Sequence, residues 1–132
     1  MGIFDGLFNK SEVKIEDEAA KLNWLPLKSI DELNSITDSD DQVSVIFKHS
    51  TRCIISKNVL RQFEIKNTNL NHIINFYYLD LLSYRSISDA IIKKFQVIHQ
   101  SPQLIVIKDG KTLAHDSHYE IINLDLKKFT PI

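Results

Sequence analysis

The sequence predicts an α/β domain: a central mixed sheet flanked by helices, with a βαβ unit followed by a β-hairpin and a C-terminal helix. Three observations carry this expectation. Short β-branched runs alternate with segments of helical period, the pattern of βαβ units, whose right-handed crossover makes their strands parallel. The runs at 43–49 and 75–81 lack clean apolar–polar alternation, as strands covered on both faces do. Asp109-Gly110 separates two further strands and is a strong hairpin signal, which adds antiparallel pairing to the sheet.

The elements follow in order. Residues 1–20 are a lead-in, with Ile3, Phe4, Leu7 and Phe8 clustered before the polar stretch NKSEVKIEDEAA; the domain is expected over 21–132. NWLPL (23–27) carries a proline that fits an edge strand. Ser29 and Glu32 form a capping box, so a helix starts near Ile30 with Ile30, Leu33 and Ile36 on its buried face. TDSDD (37–41) stops it, and QVSVIFKH (42–49) reads as a central strand. After Cys53, Ile55, Val59, Leu60 and Phe63 have helical spacing, and INFYYLDLL (74–82) is a second buried strand. Ser88 and Asp89 are expected to open a helix with Ile91, Ile92 and Phe95 inward. QLIVIKDGKTLAHDSHYEI (103–121) is the hairpin, and LDLKKF (124–129) a final helix.

Composition narrows the function. The 132 residues carry a formal net charge of -1, so no basic surplus exists to neutralise a phosphate backbone, and nucleic acid is not expected as a partner. One cysteine excludes an internal disulfide framework and a multi-cysteine zinc site. No apolar run is long enough to span a membrane, and MGIFDGLFNK lacks the basic start and apolar stretch of a secretory signal. A free thiol suits a reducing compartment, so the cytoplasm is expected.

The chemistry concentrates in FKHSTRCIIS, residues 47–56. Cys53 falls where a strand ends and a helix begins. Unpaired N–H groups and the positive end of the helix dipole favour a thiolate there. A lone cysteine is commonly a small buried hydrophobe. The polar junction KHSTR argues instead for an accessible thiol, and Lys48, His49 and Arg52 add positive charge nearby in sequence. Cys53 to Ser56 reads C-x-x-S. In dithiol oxidoreductases the last position holds a second cysteine, whereas a serine hydroxyl cannot resolve a mixed disulfide. Pro102 opens a strand, where an X-Pro bond is a candidate for the cis form.

FKHSTRCIIS, together with SPQLIVIKDGK downstream, resembles the signature of YtxJ-type monothiol bacilliredoxins, small thioredoxin-like bacterial proteins. Phe47, Lys48, His49, Ser50, Thr51, Cys53, Ile55 and Ser56 carry the match, which covers about residues 22 to 130. The resemblance implies a thioredoxin-like fold in which Cys53 is the nucleophile, Ser56 stands in the resolving position and Pro102 is the cis-proline facing it. Thr51, Ile54, Ser101 and Pro102 are then expected to meet the substrate. It implies removal of a low-molecular-weight thiol such as bacillithiol from mixed disulfides on other proteins, with that thiol as co-substrate, no resident cofactor, and a monomer as the working form. The family commonly has proline after the cysteine; this chain has Ile54, which keeps an N–H able to point at the sulfur.

Two other readings compete. One is a non-catalytic thioredoxin-like module whose cysteine is only modified or binds a partner. The other is an iron–sulfur cluster shared by two copies, as in monothiol glutaredoxins, whose glycine-phenylalanine this decamer lacks. His115-Asp116-Ser117-His118 supplies too few ligands on one strand face for a metal. His49 is read as tuning the local field rather than as a hydrolytic base, because no glycine-rich nucleophile turn accompanies it. Asp80 is read as a solvated strand end, and His72 and His99 have no evident partners.

Overall fold

In the computed structural model, residues 21–38 and 42–131 are described; the Ile3–Phe8 cluster, the lead-in to residue 20, and Asp40 and Asp41 lie outside them. Among the described residues, one sheet holds β1 (Trp24–Pro26), β2 (Val43–His49), β3 (Ile74–Asp80), β4 (Gln103–Lys108) and β5 (Lys111–Ser117) in the order β1-β3-β2-β4-β5. β1 and β2 run parallel to β3, while β4 runs antiparallel to β2 and β5. The helices are α1 (Ile30–Asp38), α2 (Ile54–Asn67), α3 (Arg85–Phe95) and α4 (Glu120–Asn123), with 3-10 turns at Thr68–Leu70 and Leu126–Phe129.

The mixed α/β plan read from the sequence is the plan observed. β2 lies mid-sheet, and all seven of its residues are buried, which explains its unbroken apolar run. Alternation along β2 divides the core. Val43, Val45 and Phe47 join Val59 and Phe63 of α2 on one face; Ile46 joins Leu33 and Ile36 of α1 and Ile87, Ile91 and Phe95 of α3 on the other. β1 is an edge strand, as Pro26 requires. Trp24 leaves it to pack against Phe47, Phe63, Phe76 and Tyr78 at centroid distances of 5.8–6.0 Å, and its Nε1–H donates to Glu64 Oε2 at 2.8 Å.

At the start of α1, Ser29 Oγ accepts from the Glu32 N–H (3.1 Å), and Glu32 Oε2 accepts from the Lys28 N–H (3.0 Å), one residue upstream of the usual box. Leu33 and Ile36 are buried there, whereas Ile30, expected inward, is exposed.

Three boundaries differ from the sequence reading. α3 begins at Arg85, and Ser88 is buried inside it rather than opening it. The chain turns into α3 because the Asp80 carboxylate accepts from the N–H groups of Leu82 (3.2 Å) and Ser83 (3.4 Å) and from Ser83 Oγ (3.1 Å), an Asx-type turn that ends β3. β5 ends at Ser117, because His118 adopts a left-handed φ of 54°; the chain then forms the short α4, which buries Ile121. The tail closes as a 3-10 turn whose first N–H groups include one from Lys127 that Asp125 Oδ1 accepts at 3.1 Å. In the hairpin, Asp109 (φ 54°) and Gly110 (φ 72°) both take left-handed conformations.

Candidate active site around Cys53

The β2 to α2 junction is built from short-range bonds. The Cys53 N–H donates to Ser50 O at 3.2 Å, closing a turn over Ser50–Cys53. The Lys57 N–H then donates to Cys53 O at 3.1 Å, the first bond of α2. Cys53 is therefore the N-cap residue, in extended conformation (φ -105°, ψ 121°), with a free, half-buried thiol. The next N–H groups, of Ile54 to Ser56, belong to the helix end that lacks intrahelical acceptors. Thr51, Arg52 and Ile54, beside Cys53 in the chain, are all exposed, Ile54 by 74%.

Ser56 does not turn its hydroxyl to the sulfur. Its side chain is fully buried, and Oγ lies 2.7 Å from His49 Nδ1 while accepting from the Ser50 N–H at 3.1 Å. One hydroxyl thus ties the end of β2 to the turn that carries Cys53. His49 is itself buried, tilted against Tyr78 at 5.6 Å. Burial pushes its pKa below the ordinary 6.5, with Asp80 pulling the other way and Lys57 adding to the fall. His49 is consequently a neutral imidazole at pH 7, a hydrogen-bond partner rather than a positive charge.

Lys48 points to the opposite face. Its side chain is wholly buried on the α1/α3 side, with Nζ 2.8 Å from His99 Nδ1 and donating to Gln103 Oε1 at 2.9 Å. Loss of hydration lowers its pKa to about 8, against an upward pull from Asp89. Neither the His99 contact nor the Gln103 contact is evident from local sequence pattern. The signal was present, since a lysine in a strand covered on both faces must find an acceptor.

β4 brings the second half of the site. Gln103 is the register partner of Lys48, so the Ile98–Pro102 loop enters β4 at the end of the sheet where β2 delivers the Cys53 turn. The Ser101–Pro102 peptide is cis, Pro102 is buried, and its carbonyl accepts from the His118 N–H at 3.1 Å. Ser101 Oγ is buried and, among the described residues, is the buried side-chain oxygen without a hydrogen-bond partner. The structure thus gathers Cys53, Ser56 and His49 at one junction and Ser101 and Pro102 in the loop that enters the adjoining strand. Lys48 reaches this end from behind the sheet. Asp80 is engaged in its own turn, and no group of three or more His, Cys, Asp or Glu residues suited to a metal occurs among the described residues.

Residues 25–126 match the family profile described as monothiol bacilliredoxin BrxC. Among solved structures, a proposed oxidoreductase with a thioredoxin fold is 30% identical, covering 76% of this chain and 88% of its own, with a TM-score of 0.68. Thioredoxin of Malassezia sympodialis (Mala s 13) is 23% identical over 79% of this chain and 82% of that one, with a TM-score of 0.59. Mitochondrial thioredoxin 3 of Saccharomyces cerevisiae is 16% identical over 79% and 90%, with a TM-score of 0.63. The fold is thioredoxin-like. No helix among the described residues is long and apolar enough to cross a membrane.

Proposed function

The chain belongs to the monothiol bacilliredoxin family, and we propose that it removes a low-molecular-weight thiol of the bacillithiol kind from mixed disulfides on proteins, by exchange at Cys53. The Cys53 thiolate attacks the small thiol's sulfur in the mixed disulfide. A disulfide forms between Cys53 and the small thiol, the bond to the client breaks, and the client cysteine leaves as a thiolate that takes a proton from water. A second low-molecular-weight thiolate then attacks the small thiol's sulfur, freeing Cys53 and leaving a disulfide of two small thiols. No net electron transfer accompanies the first step, and the second thiol supplies the reducing equivalents. The cycle takes no resident cofactor, and a reducing compartment such as the cytoplasm would keep Cys53 free.

One observation carries this reading: a half-exposed thiol caps the amino end of α2, at the end of the sheet where the Ile98–Pro102 loop begins β4. Exposed Thr51 and Ile54 and the backbone of Ser101 would line the approach of the disulfide. Ser56, held by His49 and Ser50, shapes the turn and cannot complete an internal disulfide, so resolution falls to an outside thiol.

The test is single-turnover release of bacillithiol from a modified model protein. Intact protein should release it in one equivalent, with the adduct recoverable on Cys53 by mass spectrometry. Equal release from Cys53→Ala would remove the reading.

A further inference from the structure

We propose that Lys48 is a positioning residue for this exchange, holding the Ile98–Pro102 loop in place from the face of the sheet opposite α2. The inference rests on the thiol-exchange reading above. A wholly buried ammonium is costly and persists where its donors are matched. Here they are matched by His99 Nδ1 and Gln103 Oε1. Gln103, also buried, converts that match into loop geometry. Its Oε1 accepts from the Gln100 N–H at 3.4 Å, and its Nε2–H donates to Ile98 O at 2.9 Å. Because an ammonium has no acceptor, Lys48 fixes which end of the Gln103 amide faces it, and so which loop atoms the amide binds.

Ahead of Pro102, which is buried and bonded to the His118 N–H, little else holds this loop. Ile98 is 81% exposed, and His99 and Gln100 are exposed. Behind it lies a cleft of about 420 Å³ bordered by Gln96, Ile98, Gln100, Gln103 and His115. With so little packing over Ile98–Gln100, the polar tether sets their course and through it how Ser101 and Pro102 stand relative to Cys53. Asp89 and Arg85 act on the tether from α3, which packs on the face away from α2, and Asp116 lines the cleft beside it. The tether therefore acts on substrate placement, not on the thiol.

The experiment uses the full chain as Lys48→Met, Gln103→Leu and the double variant, with Trp24 emission and thermal unfolding establishing the folded state. A protein carrying a bacillithiol mixed disulfide is the substrate. KM should rise roughly tenfold in each single variant while kcat stays within about threefold. The double variant should be no worse than either single by more than about twofold, as residues of one unit behave. Alkylation of Cys53 by iodoacetamide, which needs no loop, should stay within about twofold, and hydrogen exchange at the Gln100 amide should quicken about tenfold. Alkylation and kcat falling together would make Lys48 a field effect on the sulfur and overturn the proposal. Unchanged KM with unchanged Gln100 exchange would overturn it as well. If wild-type protein shows no Cys53-dependent release, the exchange reading fails, while Gln100 exchange still decides whether Lys48 holds the loop. If Lys48→Met does not fold, Gln103→Leu and exposed His99→Ala decide on the same two readouts.

Discussion

Ser56 occupies the position that a second cysteine fills in dithiol relatives, yet its hydroxyl serves the backbone. Removing it strands the Ser50 N–H and the His49 ring nitrogen in a buried place. Ser56→Ala should cost about 1–3 kcal/mol in urea unfolding, while single-turnover attack by Cys53 stays within about threefold. A tenfold loss of rate at unchanged stability would assign the hydroxyl to the sulfur instead. Ser101 presents the reverse case, a buried hydroxyl with nothing to lose. Ser101→Ala should leave stability unchanged or raise it by up to about 1 kcal/mol, because no hydrogen bond is broken and a desolvated group is removed; a clear loss in the urea midpoint would show a partner. The placement of Cys53 at a strand-to-helix junction was legible in the sequence, because the β-branched run ends at His49 and helical spacing starts at Ile55. The bonds around it were not. His49 and Ser56 meet only once Ser50–Cys53 has turned, and Lys48 finds Gln103 across 55 positions of chain.

At the level of elements, the hairpin shows why the sequence signal worked. Gly110 has a φ of 72°, and a Cβ there would sit 3.3 Å from Thr37 O at the end of α1. Gly110→Ala should therefore destabilise by about 1 kcal/mol or more, from backbone strain with a crowded carbonyl in addition. Equilibrium unfolding checks this, and a neutral result would mean that α1 yields. α3 shows where the signal failed. Ser88-Asp89 looks like a helix start, but the real start follows the Asp80 turn, and Tyr84 caps it without a side-chain hydrogen bond. Local capping chemistry was outvoted by the reach from the end of β3. Ser88 could be overlooked as an interior residue because serine rarely advertises burial. The parallel pairing of β2 with β3 was recoverable, since a βαβ unit makes its strands parallel, whereas the order β1-β3-β2-β4-β5 rests on pairings far apart in the chain.

For the molecule as a whole, the buried ammonium leaves a mark on stability. Lys48 titrates near 8 when folded against 10.5 ordinarily. Between those values the unfolded chain binds more protons than the native one, so stability rises with pH across that window; below it both states hold the proton and the slope vanishes. Tyr77 and Tyr78, both pushed above the ordinary 10 by burial, keep their protons longer when folded and oppose the rise beyond about pH 10. The unfolding free energy read by denaturant should thus climb from pH 8 to 10, by an amount on the order of 1–3 kcal/mol. Lys48→Met should flatten that climb, and an identical slope in both proteins would mean the proton sits elsewhere. The half of the core on the α2 face also holds an optical probe. The chain has a single tryptophan, its indole bonded to Glu64 and edge-on to Phe47, whose ring neighbours His49. Because Ser56 ties His49 to the Cys53 turn, modification of Cys53 by a small disulfide is expected to shift the indole emission, and an unchanged spectrum would show that the row is not coupled to the sulfur. Such a shift would let modification of the thiol be followed in real time and without a dye.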